Sequence, residues 1–256
     1  SLVPGLVETA QRNVGRGLVD LAIFETGAVF RIEGDHGTET VPAGAARPDD
    51  AVLASLDALP TQPRHVGALL LGARVAKQPG QAREPDGVAD ALDVARRVAR
   101  TLGLAVDVRQ AQRDWLHPGR AAEVLLDGEG VGVAGELLPS LASASDLPRQ
   151  VAVVELDLDA LVAAARTSLD TAVIGATPAA TQDLSVVVDA AVPAGEVLAA
   201  VREGAGALLE HVALVDDYRG ADLDGRKSLT FALRFRDPER TLTAAQATEA
   251  KLAGLA

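Results

Sequence analysis

The apolar positions of this chain keep two periods, one helical and one extended, and they change places several times along it. Over residues 1–14, Leu2, Leu6, Val7 and Ala10 fall on one side of a helix that Gly15 and Gly17 close. Over residues 88–102, Val88, Leu92, Ala95, Val98, Ala99 and Leu102 share one face, with Arg96, Arg97 and Arg100 elsewhere. Extended segments fill the rest. LAIFETGAVFRI (21–32) reads as a strand, a turn at Thr26-Gly27 and a further extended stretch, and HVGALLLGA (65–73) as a strand buried on both faces. AVDVRQA (105–111) alternates, AAEVLLDGEGVGVAGEL (121–137) predicts a hairpin turning at Asp127-Gly128, and VAVVELDLDALVAAA (151–165) predicts a strand running into a helix. Residues 33–63 read as a polar loop with a short helix near 49–58, and the stretch from Lys77 to Gly87 as a solvated loop.

Residues 167–180, rich in Gly, Ala, Thr and Pro, show neither period, which places a boundary between a domain over 1–170 and one over 176–256. Beyond it QDLSVVVD (182–189) is a strand, and Pro193 suits the first turn of a helix reaching about Leu209, with Glu196 near its N-terminus. HVALVDDYRG (211–220) and RKSLTFALRFR (226–236) are two more strands, and Thr243 with Gln246 forms the capping box of a last helix. The expected class is α+β: an incomplete antiparallel α/β domain, then a ferredoxin-like β-α-β-β-α unit lacking its closing strand. That missing strand and the lack of any Met lead to the expectation that the chain is part of a longer one.

Composition narrows the picture. Hydrophobic residues make up 48% and charged residues 23%, ordinary globular usage, with Trp115, Tyr218 and four Phe as the only aromatics among F, W and Y. No apolar run reaches the roughly 18 residues of a membrane span, and the first residues lack the pattern of a secretory leader. The absence of Cys excludes disulfides and thiolate chemistry and suits a cytoplasmic setting. A net charge of -12 argues against a protein that coats nucleic acid nonspecifically, so any RNA contact should be local. One stretch reverses the sign. From residue 219 to 240 the cations Arg219, Arg226, Lys227, Arg234, Arg236 and Arg240 face the acids Asp222, Asp224, Asp237 and Glu239, a net of +2.

Two groups of segments resemble one family. QDLSVVVD, PAGEV, DDYRG, KSLTFALRFR and RTLT, in this order and at these spacings, are similar to the ferredoxin-fold anticodon-binding domain of the bacterial phenylalanyl-tRNA synthetase beta subunit. SLVPGLVE, RNV, LAIFETGAVF, HPGRAAEV and GVAGELLP resemble the catalytic-like, class II synthetase-like domain of the same subunit, in its actinobacterial form. The chain departs from the family pattern at Leu138 before Pro139, at GQAREPDGVAD before helix 88–102, and at Thr177-Pro178-Ala179. The resemblance implies a non-catalytic part of phenylalanine–tRNA ligase. ATP and Mg²⁺ would bind the alpha subunit within an alpha2beta2 assembly, this chain would hold no cofactor, and its nucleic-acid partner would be phenylalanine tRNA rather than DNA. An RNA-binding or structural piece, or a paralogue outside aminoacylation, is the alternative.

By the same resemblance, Tyr218 stacks on an anticodon base, Asp216 accepts from base edges, and Ser228 stands beside them. Unpaired bases offer both a π-face and free edges, so these residue types suit the task. A half-exposed strand end would show the same letters. Arg219, Arg226, Lys227, Arg234 and Arg236 are candidate phosphate contacts, although alternation in LRFR also turns Arg234 and Arg236 outward on any half-exposed strand. His117-Pro118-Gly119-Arg120 could suggest a base and a phosphate clamp. No second catalytic group is organised around it, and the reading preferred is a turn into strand 121–126 in which Gly119 takes an unusual backbone angle. His36, His65 and His211 lack metal-ligand spacing, and GEGVGVAG (128–135) follows a strand but opens no helix, against a dinucleotide site.

Overall fold

The computed structural model describes residues 1–30, 44, 47, 49–51, 53, 61–166, 168 and 176–255. It divides into two units, Ser1–Leu169 and Asp170–Ala256. In the first, helix α1 (Val3–Val14) leads into β1 (Leu21–Ala28), β2 (Arg64–Leu71), a short ribbon of β3 (Ala73–Val75) and β4 (Glu84–Pro85), and helix α2 (Val88–Thr101). β5 (Asp107–Gln110), β6 (Leu116–Leu126), β7 (Glu129–Leu137), α3 (Pro139–Ala144), β8 (Val151–Asp157) and α4 (Leu158–Ala163) complete it. Six strands pair in the order β1-β2-β8-β7-β6-β5, every pairing antiparallel.

Both faces of this sheet are covered, which is why β2 and β8 read as continuous apolar runs. On one face α2 presents Ala91, Ala95 and Ala99, each at most 1% exposed, against Val124, Ala134, Ala152 and Val154. Small side chains every fourth residue let the helix axis come close to the strands. On the other face Val3, Leu6 and Ala10 of α1 pack with Leu69, Leu71, Leu116, Leu137, Val151 and Val153. A Cβ at Gly67 would stand 3.1 Å from Leu6 Cδ1 and 3.2 Å from Leu2 Cβ, and one at Gly27 3.2 Å from Leu2 Cδ2. These glycines are the seat of α1.

That contact corrects one expectation: Thr26-Gly27 is not a turn. β1 pairs with β2 without a break from Leu21↔Leu71 to Ala28↔Arg64, and Gly27 serves helix packing instead. The segment from Lys77 to Gly87 is not simply a solvated loop, since it closes on the β3–β4 ribbon and buries Asp86. The short helix proposed near 49–58 falls mostly outside the described residues. The hairpin at Asp127-Gly128 is present, with positive φ at both residues (51° and 88°), as a tight turn between twisted strands requires. The expected turn at His117–Arg120 is instead a bulge within β6. Leu116 pairs with Leu137 and Ala121 with Gly135, so the intervening residues loop out, and Gly119 is not among the positive-φ glycines.

The second unit runs β9 (Ala180–Asp189), α5 (Ala194–Ala205), β10 (Leu209–Tyr218), β11 (Arg226–Phe235) and α6 (Ala244–Ala253). Its helix α5 stops at Ala205 rather than near Leu209, because Gly206 takes a positive φ and one 3-10 turn leads directly into β10. Pro193 is its N-cap and not its first-turn residue. Thr243 Oγ1 accepts from the Gln246 amide, so the capping box of α6 forms. The sheet order is β10-β11-β9, the order of a split βαβ unit, with all pairings antiparallel. Leu229, Phe231, Leu233 and Phe235 of β11 join Leu184, Val201, Ala205 and Ala247 in the core. The alternate residues of β11 line the opposite face.

Candidate nucleic-acid interface

β11 sets the frame of the site because its alternation is strict. Arg226, Ser228, Thr230, Ala232 and Arg234 point to one face, and Lys227, Leu229, Phe231, Leu233 and Phe235 to the core. β10 is less regular. Val212 pairs with Leu233 and Leu214 with Phe231, so simple alternation would carry Asp216 and Tyr218 to the core side as well. A register shift between Leu214 and Asp216 leaves Val215 over and moves both to the open face. Asp216 there stands opposite Thr230, and Tyr218 opposite Ser228. The three residues singled out in the sequence therefore share one surface.

The surface has more members than sequence reasoning found. Across β11, Ser228 pairs with Val187 and Thr230 with Ser185 on β9, and the Ser185 and Thr230 hydroxyls lie 2.9 Å apart. Two rows result: Tyr218, Ser228 and Val187, then Asp216, Thr230 and Ser185. Among the described residues Asp216 makes no ion pair, which leaves its carboxylate open to an incoming donor. Tyr218 is 49% exposed. Its hydroxyl donates to Asp222 Oδ1 at 2.9 Å, and that bond holds the phenol above the usual tyrosine range, hence neutral. Period-2 reading of strands 182–189 and 226–236 could have found Thr230 and Ser185; nothing in the local pattern pointed to Asp222.

The cations are dispersed more than their sequence suggested. Arg226 is exposed at the start of β11, where its Nε donates to the Leu223 carbonyl at 3.3 Å. Arg219 makes two hydrogen bonds to Asp217, at 2.9 and 2.8 Å, which hold the Asp217 carboxyl below its ordinary range. Glu210 binds both Arg234 and Arg236, and Arg236 also donates to the Thr177 carbonyl, tying the entry of the unit to the end of β11. Lys227 is only 3% exposed and lies on the helix side. Of the five candidate cations, Arg226 is exposed with no acidic partner among the described residues, and Arg219 and Arg234 are exposed but paired. Lys227 and Arg236 are turned into the fold.

The remaining sequence candidates have local explanations. His117 Nδ1 accepts from the Gly119 amide at 3.1 Å, inside the bulge. Arg120 pairs at 2.7 Å with Glu136, which is 3% exposed and also accepts from the Val88 amide at the N-terminus of α2. His65 is buried against Glu155, with Nδ1 and Oε1 2.7 Å apart. Among the described residues no three His, Asp or Glu side chains are grouped to hold a metal ion, and no helix is long and apolar enough to cross a membrane.

Residues 1–158 match the family model described as Phenylalanyl tRNA synthetase beta chain CLM domain, and residues 176–253 the one described as Ferredoxin-fold anticodon binding domain. The chain is 57% identical over its whole length to the phenylalanine–tRNA ligase beta subunit of Leifsonia xyli, of which it covers 31%. It is 45% identical to the protein of that name from Streptomyces avermitilis, covering all of the chain and 32% of the relative. For the one from Mycolicibacterium paratuberculosis the identity is 46%, over 98% of the chain and 30% of the relative. The chain thus spans less than a third of the length of each of these proteins.

Proposed function

The chain belongs to the phenylalanine–tRNA ligase beta-subunit family, and on that premise we propose that it contributes an anticodon-binding surface and a non-catalytic scaffold to that enzyme. The observation that carries the reading is the shared open face of Asp216, Tyr218 and Ser228 on the unit that matches the anticodon-binding model. An unpaired anticodon base stacks on the Tyr218 ring. Asp216 accepts from base N–H donors, and the Ser228 hydroxyl offers both a donor and an acceptor. Arg226 neutralises a neighbouring phosphate without reading a base, and Arg219 and Arg234 add to the local field. The acidic remainder of the chain repels RNA elsewhere, which confines contact to this face.

The first unit has a different task. Its antiparallel sheet, filled on both faces by apolar side chains, is a class II synthetase-like scaffold that packs against the catalytic alpha subunit, in an alpha2beta2 assembly in the cytoplasm. ATP, Mg²⁺ and phenylalanine bind that partner. The test is Tyr218→Ala in the complete two-subunit enzyme. Binding of phenylalanine tRNA weakens by about 1–3 kcal/mol, the value of one base–aromatic stack, while phenylalanine-dependent pyrophosphate exchange, which needs no anticodon contact, continues. Unchanged tRNA affinity and aminoacylation would remove the site assignment.

A further inference from the structure

We propose that Asp222 and Gly220 are positioning residues that hold the Tyr218 ring ready for its base, an inference that rests on the tRNA reading above. The geometry at the β10–β11 connection is specific. Tyr218 Oη donates to Asp222 Oδ1 at 2.9 Å. Both groups close over Gly220: a Cβ there would lie 2.1 Å from the Tyr218 hydroxyl oxygen, 2.4 Å from the ring carbon that bears it, and 2.1 Å from Asp222 Oδ1. The backbone does not demand glycine at this point, since φ is -83° and ψ 157°, open to any residue. Space demands it. Any side chain would push the ring tip or the carboxylate out of place.

The connection that carries Asp222 is itself tied down. The Leu223 amide donates to the Gly220 carbonyl at 3.1 Å to form a 3-10 turn over Ala221–Leu223, and Arg226 Nε reaches the Leu223 carbonyl at 3.3 Å. On the strand side, Arg219 is fastened to Asp217 by two hydrogen bonds. Tyr218 therefore meets its base with the ring tip fixed at one end and the backbone fixed at the other, and half of the side chain is still exposed. A ring free to rotate would lose that freedom on binding, and the ordering would subtract from the affinity. Asp222 removes this cost without touching RNA. It also keeps the hydroxyl bonded when stacking excludes water.

The experiment measures tRNA affinity and steady-state aminoacylation in the complete two-subunit enzyme with a phenylalanine tRNA transcript. Tyr218→Phe, Asp222→Ala and Gly220→Ala each should weaken binding about three- to tenfold, the worth of one newly ordered side chain. KM for tRNA should rise accordingly, with kcat and KM for phenylalanine little moved. Asp222→Asn, which keeps an acceptor oxygen, should recover most of the loss. In a Tyr218→Ala background, Asp222→Ala should add nothing. If Tyr218→Ala weakens binding while Asp222→Ala and Tyr218→Phe bind as the parent does, the positioning role is wrong and the stacking site stands. Failure of Asp222→Asn to rescue, or full additivity in the double variant, likewise overturns it. If Tyr218→Ala itself has no effect, both readings fall together.

Discussion

Arg226 and Lys227 carry the same charge one position apart, yet β11 turns the first to solvent and the second to the helix side, at 3% exposure. Charge near RNA acts through counterion release, which requires an exposed cation. Arg226→Ala should therefore weaken tRNA binding and lower the slope of log affinity against log salt by about 0.7, the increment for one contact to a single strand. Lys227→Ala should leave that slope where it was and change the unfolding midpoint instead. A salt titration of both variants separates them, and equal slopes for the two would remove Arg226 from the interface. The parity of Lys227 with Leu229, Phe231, Leu233 and Phe235 is visible in the sequence, so its inward setting was legible from alternation alone. For Lys227 period is therefore a better guide than charge, whereas Arg236, outward by the same alternation, is drawn in by Glu210 and the Thr177 carbonyl.

At the scale of elements, two close approaches decide the architecture. Helix α1 lies on β1 and β2 because Gly27 and Gly67 leave room for Leu2 and Leu6. Gly67→Ala places a methyl group 3.1 Å from Leu6 Cδ1, tighter than packed carbon contacts, and should cost about 1–3 kcal/mol as an overpacked core. Urea unfolding followed by Trp115 fluorescence reads this, since Trp115 packs against the same cluster as Leu6. A midpoint unchanged from the parent would mean α1 is not seated there. The second device is the bulge at Val215. Deleting Val215 joins Leu214 directly to Asp216, so plain alternation keeps Asp216 and Tyr218 on the open face, and tRNA binding should be retained while circular dichroism still reports the β-rich unit. Loss of binding by that variant, with the unit still folded, would show that these residues do not reach RNA through register alone.

For the chain as a whole, the acid limit of stability should be set in part by Glu155. Burial opposes its ionisation, but hydrogen bonds from the Ser1 hydroxyl at 2.5 Å and the His65 ring outweigh it and hold the carboxyl below its ordinary value of 4.5. A carboxyl depressed in the folded state stabilises above its unfolded value and loses that contribution as pH falls through the folded one. The first unit should therefore lose stability progressively below about pH 4.5, and Glu155→Gln should flatten that part of the profile. Trp115 fluorescence across the same range tests it. The chain purified without its partner should also give no phenylalanine-dependent ATP–pyrophosphate exchange. Robust exchange would contradict the division of labour proposed here.

Local order was legible in the sequence wherever it depends on nearest neighbours. Helical and extended periods, the capping box at Thr243 and Gln246, the Asp127-Gly128 turn and the β-α-β-β-α order all follow from spacing and backbone preference. The resemblance to a family was likewise carried by ordered runs of residues. What spacing does not encode is how far one element approaches another. Gly27 looked like a turn because its partner, Leu2, is remote along the chain, and His117–Arg120 looked like a turn because the pairing of Leu116 with Leu137 cannot be seen from one strand. The site shows the same limit. Asp216, Tyr218 and Ser228 could be named from sequence, but only strand pairing, with one residue of slip at Val215, brings them to a common face and closes Asp222 over Gly220 against the ring. Register and close contact are properties of two segments at once, so the tertiary structure alone decides them.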